Sequence, residues 1–170
     1  MEKELVISSS EIARRVRELG REISKRSRDR LLVVGVLKGA FVFTADLVRA
    51  ISIPLELDFI RVASYGADSC SSGEIRLSGD LQAAVAGRDV LLVEDIVDTG
   101  TTLVWLLDYL RAGGAGSVTV CALIDKRQRR REEVIIDYCG FRREGFLVGY
   151  GLDYGERYRE LPDIYELKSA

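Results

Sequence analysis

Three short apolar segments constrain the fold more than any other feature of this sequence. Leu31–Val36, Val90–Val93 and Val118–Ile124 are continuous runs of mainly Val, Leu and Ile. Such runs are typical of strands that are buried on both faces. Segments with helical apolar spacing, Phe41–Ile51 and Leu103–Leu110, alternate with them. This order predicts an α/β fold, a mainly parallel twisted sheet with helices on both faces.

A capping box predicts a helix ahead of the first of these strands. Ser8 is placed as the N-cap and Glu11 at the third helical position. Apolar residues then recur at helical spacing to about Lys25. Shorter strands are predicted at the remaining apolar segments, Leu55–Ala63, Val134–Cys139 and Phe146–Tyr150. The length of 170 residues fits one domain, and we expect residues 1–170 to form it.

The segment Ser64–Ser78 differs from the rest of the chain in being small, polar and interrupted by glycine. A stretch of this kind inside a compact domain is either disordered or an active-site flap, and we favour the flap. Cys70 lies within it, and we assign that residue no role.

Composition excludes several kinds of chemistry. The chain has no histidine, which removes Ser-His-Asp catalysis and His-ligated metals. Its three cysteines lack CxxC spacing, so neither a disulfide framework nor a thiolate metal site is indicated. Carboxylate oxygens remain as metal ligands, and they favour a hard cation such as Mg²⁺. A net charge of −2, the absence of a long apolar segment and a polar start predict a cytoplasmic protein that binds neither nucleic acid nor membrane.

The segment Val90–Thr102, VLLVEDIVDTGTT, carries the strongest chemical signal. A buried strand, Val90–Val93, is followed by acidic residues, then by Thr99-Gly100-Thr101-Thr102 and a helix. Glycine allows close approach of the backbone to a ligand, and free N–H groups at a helix start favour a phosphate. The segment is neither a P-loop nor a GxGxxG dinucleotide motif.

Glu94 and Asp95 need a separate explanation, because two carboxylates repel a neighbouring phosphate. Sugar hydroxyls that donate hydrogen bonds, or a divalent cation, remove this conflict. A sugar phosphate meets both demands. Two solvated loop acids, with Thr102 as a simple helix cap, are the alternative that spacing alone leaves open.

The VEDIVDTG form of this segment resembles the signature of the type I phosphoribosyltransferases, and within them the 6-oxopurine branch. Further motifs follow in the family's order, so the resemblance covers about residues 30–163: Leu37-Lys38-Gly39, Ser64-Tyr65-Gly66, Ser72-Gly73-Glu74, Lys126 and Phe146–Asp153 with Arg159. It implies the family's core with a small hood, about residues 126–170, and a flexible flap, about 64–78.

The resemblance also implies how phosphoribosyl diphosphate is bound. Glu94 and Asp95 would hold the ribose hydroxyls, and Asp98 through Thr102 would wrap the 5′-phosphate. Mg²⁺ would be held by Glu94, Asp95 and Asp153. The pyrophosphate group would contact Lys38 and Gly39, which follow a cis peptide bond between Leu37 and Lys38, together with Arg159 and the flap residues Ser64 and Tyr65.

Base recognition follows from chemistry and from the resemblance together. A 6-oxopurine presents an acceptor at O6, and Lys126 supplies a donor just after a buried strand. We interpret the arginines of the run that begins at Lys126 as surface cations. By resemblance, Phe146 stacks on the purine, the carbonyl of Leu147 accepts from the base edge, and Asp98 handles the proton at N7. Without the resemblance, Phe146 reads as plain core and Asp98 as a turn cap.

The implied activity is purine salvage. Ribose 5-phosphate would move from phosphoribosyl diphosphate to N9 of hypoxanthine and/or guanine, giving IMP or GMP and pyrophosphate. A phosphoribosyltransferase for another base and a regulatory protein that senses phosphoribosyl diphosphate are the alternatives. The chain departs from the family in having Arg142-Arg143-Glu144-Gly145 before Phe146 and no proline after Lys126, which leaves the preference among hypoxanthine, guanine and xanthine open. The resemblance further implies a homodimer or homotetramer.

Overall fold

The computed structural model describes residues 2–27, 30–65 and 74–168, and of residues 64 and 65 the backbone alone. The described residues form the following elements in chain order: β1 (Glu2–Ile7), α1 (Ser9–Arg26), β2 (Leu31–Leu37), α2 (Phe41–Ala50), β3 (Leu55–Tyr65), β4 (Glu74–Gly79), β5 (Asp89–Val97), α3 (Thr101–Ala112), β6 (Ser117–Asp125), β7 (Tyr138–Arg142), β8 (Leu147–Val148) and β9 (Ile164–Lys168).

A six-stranded sheet in the order β4-β3-β2-β5-β6-β7 forms the centre of the molecule. Its strands pair in parallel except for β4, which runs antiparallel to β3. The predicted mainly parallel sheet is confirmed. The chain order reverses between β2 and β5, and the carboxyl ends of strands at such a switch point border the crevice in which α/β proteins bind ligands.

Two apolar clusters, one on each face of the sheet, hold the helices. Alternate residues of β2 point to opposite faces, so Val33 belongs to the cluster that contains α1 and α2, whereas Val34 belongs to the cluster that contains α3. The prediction of helices on both faces is therefore also confirmed. No helix in the described part of the chain is long and apolar enough to span a membrane.

Helix α1 begins with the predicted capping box. The Ser8 hydroxyl accepts from the Glu11 N–H at 3.3 Å, and the Glu11 carboxylate accepts from the Ser8 N–H at 2.8 Å. A distant residue adds to this cap, since Asp163 Oδ1 accepts from the Ser9 N–H at 2.6 Å. The start of α1 is thus tied to the segment that leads into β9.

A second, three-stranded antiparallel sheet in the order β1-β9-β8 lies beside the first. Neither β1 nor β9 was predicted from the sequence. Both strands are short, and most residues of β1 are exposed, whereas β9 buries only its first and fourth residues. Neither strand therefore has the continuous apolar run that is typical of the central strands. The small sheet includes residues 2–7 as well as residues of the predicted hood, whose boundaries stay a prediction.

Two predicted segments differ from the structure. Both ends of Ser64–Ser78, predicted as a loop, are strand: β3 continues to Tyr65 and pairs with β4. Residues 66–73, including Cys70, lie outside the described residues. The strand predicted at Val134–Cys139 begins only at Tyr138, because the side chain of Asp137 accepts the Val120 N–H at 2.8 Å in place of a backbone carbonyl.

Candidate active site

The carboxyl ends of β2 and β5 come into direct contact at the switch point. The peptide bond between Leu37 and Lys38 is cis, as the resemblance implies. Gly39 then lies against Asp95 so closely that a Cβ at position 39 would overlap the Asp95 carboxylate. Glycine is required here because any side chain would displace that acid.

Glu94 and Asp95 lie inside β5, whereas they were predicted to follow the strand. Strand pairing with β6 continues past them to Val97. Glu94 is buried, and its pKa is raised well above the ordinary value, first by burial and then by the charge of Asp95. Burial also raises the pKa of Asp95. A buried acid beside a partly buried one favours hydrogen-bond donors or a cation as partner.

The predicted phosphate loop forms the turn between β5 and α3. Gly100, at φ +88°, is the N-cap of α3 in the left-handed conformation that glycine adopts readily. Its backbone lets Thr101 begin the helix, two residues earlier than predicted. Gly100 has no side chain to cap the helix, and the Thr101 N–H makes only a long hydrogen bond, 3.4 Å, to the Thr99 hydroxyl. The first-turn N–H groups of a twelve-residue helix therefore point toward the switch point and suit a phosphate.

Lys38, Arg159 and Asp153 are brought together beside the acidic pair. Arg159 Nη2 lies 3.0 Å from Asp153 Oδ1, and Arg159 Nη1 donates to the Gly151 carbonyl at 2.7 Å. The charge of Arg159 lowers the pKa of Asp95 and that of Asp153 raises it, although burial remains the larger effect. The structure adds a residue that sequence reasoning missed: Glu156 Oε2 lies 2.6 Å from Lys38 Nζ.

The carboxylates of this site suit Mg²⁺ only if substrate oxygens complete the coordination. No group of three or more His, Cys, Asp or Glu side chains in the described ranges converges as a complete metal site. Asp153 is near enough for its charge to raise the pKa of Asp95, and Glu94 is adjacent to Asp95. Mg²⁺ is usually held by one or two carboxylates plus substrate phosphates. The residues present therefore suit a shared ion, with Glu94, Asp95 and Asp153 as candidate ligands.

Lys126 and Phe146 border the other side of the crevice. The Lys126 N–H donates to the Val97 carbonyl at 3.0 Å, so this residue follows β6 directly beside the end of β5. Phe146 is half-exposed and meets Tyr154 edge to face, with ring centroids 5.4 Å apart. Its exposure argues against plain core. Leu147 is buried in β8, where it pairs with Glu166 of β9.

The arginine run after Lys126 is not uniformly solvated, which corrects our interpretation of it. Arg130 is mostly buried and bridges the loop that holds Asp98 to the end of β6. It donates to the Asp98 carbonyl at 2.8 Å, to the Lys126 carbonyl at 2.8 Å and to Asp125 Oδ1 at 2.5 Å. Arg129, by contrast, is exposed, yet lies 3.3 Å from Asp98 Oδ2. Nothing in the sequence separates these arginines from their neighbours.

Asp98 offers one oxygen to a ligand. Oδ2 faces Arg129, whereas Oδ1 is buried without a hydrogen-bond partner among the described residues. A buried carboxylate oxygen normally has a partner, so this atom is the natural acceptor for a ligand proton. Ser64 and Tyr65 end β3. Their side chains lie outside the described part, and their contact with pyrophosphate stays a prediction.

A profile described as the phosphoribosyl transferase domain matches residues 7–155. The chain belongs to the phosphoribosyltransferase family. It is 45% identical over 170 residues to the hypoxanthine-guanine phosphoribosyltransferase of Bacillus subtilis, covering 99% of this chain and 94% of the relative. The Dictyostelium discoideum enzyme of the same name is 44% identical, with 99% and 97% covered.

Solved structures agree with this assignment. A hypoxanthine-guanine phosphoribosyltransferase from Bacillus anthracis superposes with a TM-score of 0.93 at 36% identity, covering 99% of this phosphoribosyltransferase and all of the other chain. A hypoxanthine phosphoribosyltransferase from Staphylococcus aureus has a TM-score of 0.92 at 38% identity, with 97% and 91% covered. The family resemblance inferred from VEDIVDTG and the accompanying motifs is confirmed.

Proposed function

We propose that this phosphoribosyltransferase moves ribose 5-phosphate from phosphoribosyl diphosphate to N9 of hypoxanthine and/or guanine, which releases IMP or GMP and pyrophosphate. The observation that carries the proposal is the junction of β5 and α3. There the buried Glu94 and the partly buried Asp95 lie next to the start of α3, and the Lys126 N–H donates to the carbonyl of Val97 at the same strand end. A sugar phosphate and a base with an acceptor oxygen fit these neighbouring positions.

Binding of the ribose phosphate is assigned to the residues of β5 and the following loop. Glu94 and Asp95 accept hydrogen bonds from the ribose hydroxyls, and their negative charge stabilises the positive charge that grows on the ribose ring as pyrophosphate departs. The loop from Asp98 to Thr102 holds the 5′-phosphate with backbone N–H and hydroxyl donors.

The base is oriented by Lys126, Phe146 and Leu147. Lys126 donates to O6, the exposed Phe146 ring stacks on the purine, and the Leu147 carbonyl accepts from the base edge. Asp98 Oδ1 takes the proton at N7. The carboxylate serves this role in a chain that has no histidine.

Pyrophosphate is held by Lys38, Gly39 and Arg159, with Ser64 and Tyr65 closing over it. Mg²⁺, when bound, neutralises charge on the departing pyrophosphate. The proposal includes self-association, as the family resemblance implies. A homodimer or homotetramer is expected by light scattering. The cytoplasmic location stays a prediction.

Turnover on four bases in parallel tests the proposal. Pyrophosphate release is measured with hypoxanthine, guanine, xanthine and adenine, with Mg²⁺ or with excess chelator. We expect turnover on hypoxanthine or guanine that requires Mg²⁺ and little on adenine. Turnover on adenine alone would support the alternative of another base. Tight binding of phosphoribosyl diphosphate without turnover on any base would support a sensor.

A further inference from the structure

Glu156 contacts both cations that the proposed function assigns to pyrophosphate. Its Oε2 lies 2.6 Å from Lys38 Nζ, and its Oε1 lies 3.2 Å from Arg159 Nη2. One carboxylate thus pairs with two cationic side chains, of which Lys38 is 118 positions away in the chain.

The backbone fixes this carboxylate in place. Glu156 has φ +65°, a conformation that side-chain-bearing residues rarely adopt, and its N–H donates to Asp153 Oδ2 at 2.9 Å. Gly151, in the same loop, approaches the loop after β2 so closely that a Cβ on Gly151 would lie 2.5 Å from the Gly39 carbonyl oxygen. The two loops thus have a defined relative position, which makes the Lys38 contact more than a chance meeting of surface charges.

The contact is also weak enough to be displaced. The side chains of Lys38 and Glu156 are 44% and 64% exposed, and exposed ion pairs contribute little to stability. Phosphate oxygens need the same ammonium and guanidinium donors that the carboxylate oxygens of Glu156 engage. A pyrophosphate group carries more charge than one carboxylate and would prevail.

We propose that Glu156 is an internal competitor for pyrophosphate. Glu156 forms ion pairs with Lys38 and Arg159 in the free protein. These ion pairs break when the pyrophosphate group of the substrate binds, and they form again as pyrophosphate leaves. The identity of the competing anion rests on the proposed function. This competition lowers the affinity for pyrophosphate and speeds its release. The negative charge of Glu156 therefore weakens pyrophosphate binding.

Titration of pyrophosphate into Glu156→Gln tests this directly. The substitution keeps the size and removes the charge. At fixed Mg²⁺, we expect the Kd for pyrophosphate, measured by calorimetry, to fall about three- to tenfold, the range that two exposed ion pairs allow. Glu160→Gln is the matched control, because Glu160 is an exposed acid of the same segment with no ion pair inside the described ranges. It should leave the Kd within about twofold.

A double-mutant cycle identifies the partner. In a Lys38→Met background, Glu156→Gln should tighten pyrophosphate binding less than in the wild type, because one of the two competing pairs is already gone. Unchanged or weaker binding by Glu156→Gln, or equal tightening by Glu160→Gln, would overturn the inference. The titration contains no base, so a wild-type chain that fails to turn over any purine contradicts the proposed function while the titration still decides the role of Glu156.

Discussion

Two proposed roles each depend on one side-chain group, and the first is proton transfer by Asp98 Oδ1. Because it is buried without a partner in the described part of the chain, Asp98→Asn should remove proton transfer while keeping the shape of the loop. We expect kcat to fall about 10²- to 10⁴-fold, the usual contribution of a positioned acid or base, with little change in the Kd for phosphoribosyl diphosphate. Equal losses in both quantities would reassign Asp98 to substrate binding.

The ammonium group of Lys126 is the second such case. Lys126→Met removes the donor proposed for O6, so kcat/KM for hypoxanthine should fall about 10- to 100-fold while that for adenine changes less. Kinetics on both bases measure this change in preference. Lys25→Met, which removes an exposed cation from the last turn of α1, should change neither value. A parallel loss on hypoxanthine and adenine would contradict the assignment of Lys126 to O6.

Among the structural elements, the loop after β6 positions the loop after β5 through hydrogen bonds. Arg130 joins the carbonyls of Asp98 and Lys126 to the buried Asp125. Arg130→Gln should therefore raise KM for the base and lower kcat by tenfold or more. The reason is that the loop with Asp98 and the loop with Lys126 both lose the hydrogen bonds that hold them in position.

Arg127→Gln provides the control for Arg130. Arg127 also pairs with Asp125, at 2.9 Å, but its side chain is 60% exposed. We expect a change of less than about threefold in either constant, in line with a surface ion pair. Similar effects of the two substitutions would show that the charge of Asp125, and not the bridge through Arg130, is what matters.

The start of α1 gives a prediction with a defined pH dependence. The Ser9 N–H, as the main cause, and the Tyr165 hydroxyl lower the pKa of Asp163 below 3.8. A lowered folded-state pKa stabilises the protein above the unfolded value, and this contribution is lost as the pH falls through the folded value. Asp163→Asn should lower Tm at pH 7, and the difference from wild type should shrink toward pH 3. A constant difference in thermal melts across this range would contradict the assignment.

The sequence predicted best those elements whose burial is most complete. Strands β2, β5 and β6 and all three helices were predicted from apolar runs and spacing, and the Ser8 capping box defined the start of α1. Strand β4 was missed because half of its residues are exposed. The end of β5 was placed too early because Glu94 and Asp95 are charged, and strand pairing with β6, not local preference, keeps them extended.

Across the whole molecule, ligand binding should stabilise the fold because phosphoribosyl diphosphate binds the folded chain and not the unfolded one. With phosphoribosyl diphosphate at about 100 times its Kd and Mg²⁺ present, the gain is about 2.7 kcal/mol. For a chain of this size that corresponds to a rise in Tm of roughly 5–10 °C. Thermal melts with excess chelator should show a much smaller rise. An equal rise without Mg²⁺ would show that Glu94 and Asp95 bind the substrate without a metal.

The residues of the site that sequence reasoning missed are those with distant partners. Glu94, Asp95 and the phosphate loop are contiguous, so their pattern indicated a sugar phosphate, and the resemblance to the phosphoribosyltransferases decided between that interpretation and two solvated loop acids. Glu156 reaches Lys38 across 118 positions in the chain, and Arg130 bridges two loops. No local pattern marks such contacts, because their geometry follows from the order of the strands in the sheet.

The pairing of β1 with β9 has a consequence for synthesis. Everything from α1 to β8 leaves the ribosome before residues 164–168, the strand that pairs with β1 and carries β8 beside it. The parallel sheet, with its sugar-phosphate loop, can assemble earlier, whereas the partner that fixes Leu147 arrives last. During synthesis, the nascent chain should thus be able to bind the phosphorylated sugar before it can bind a purine.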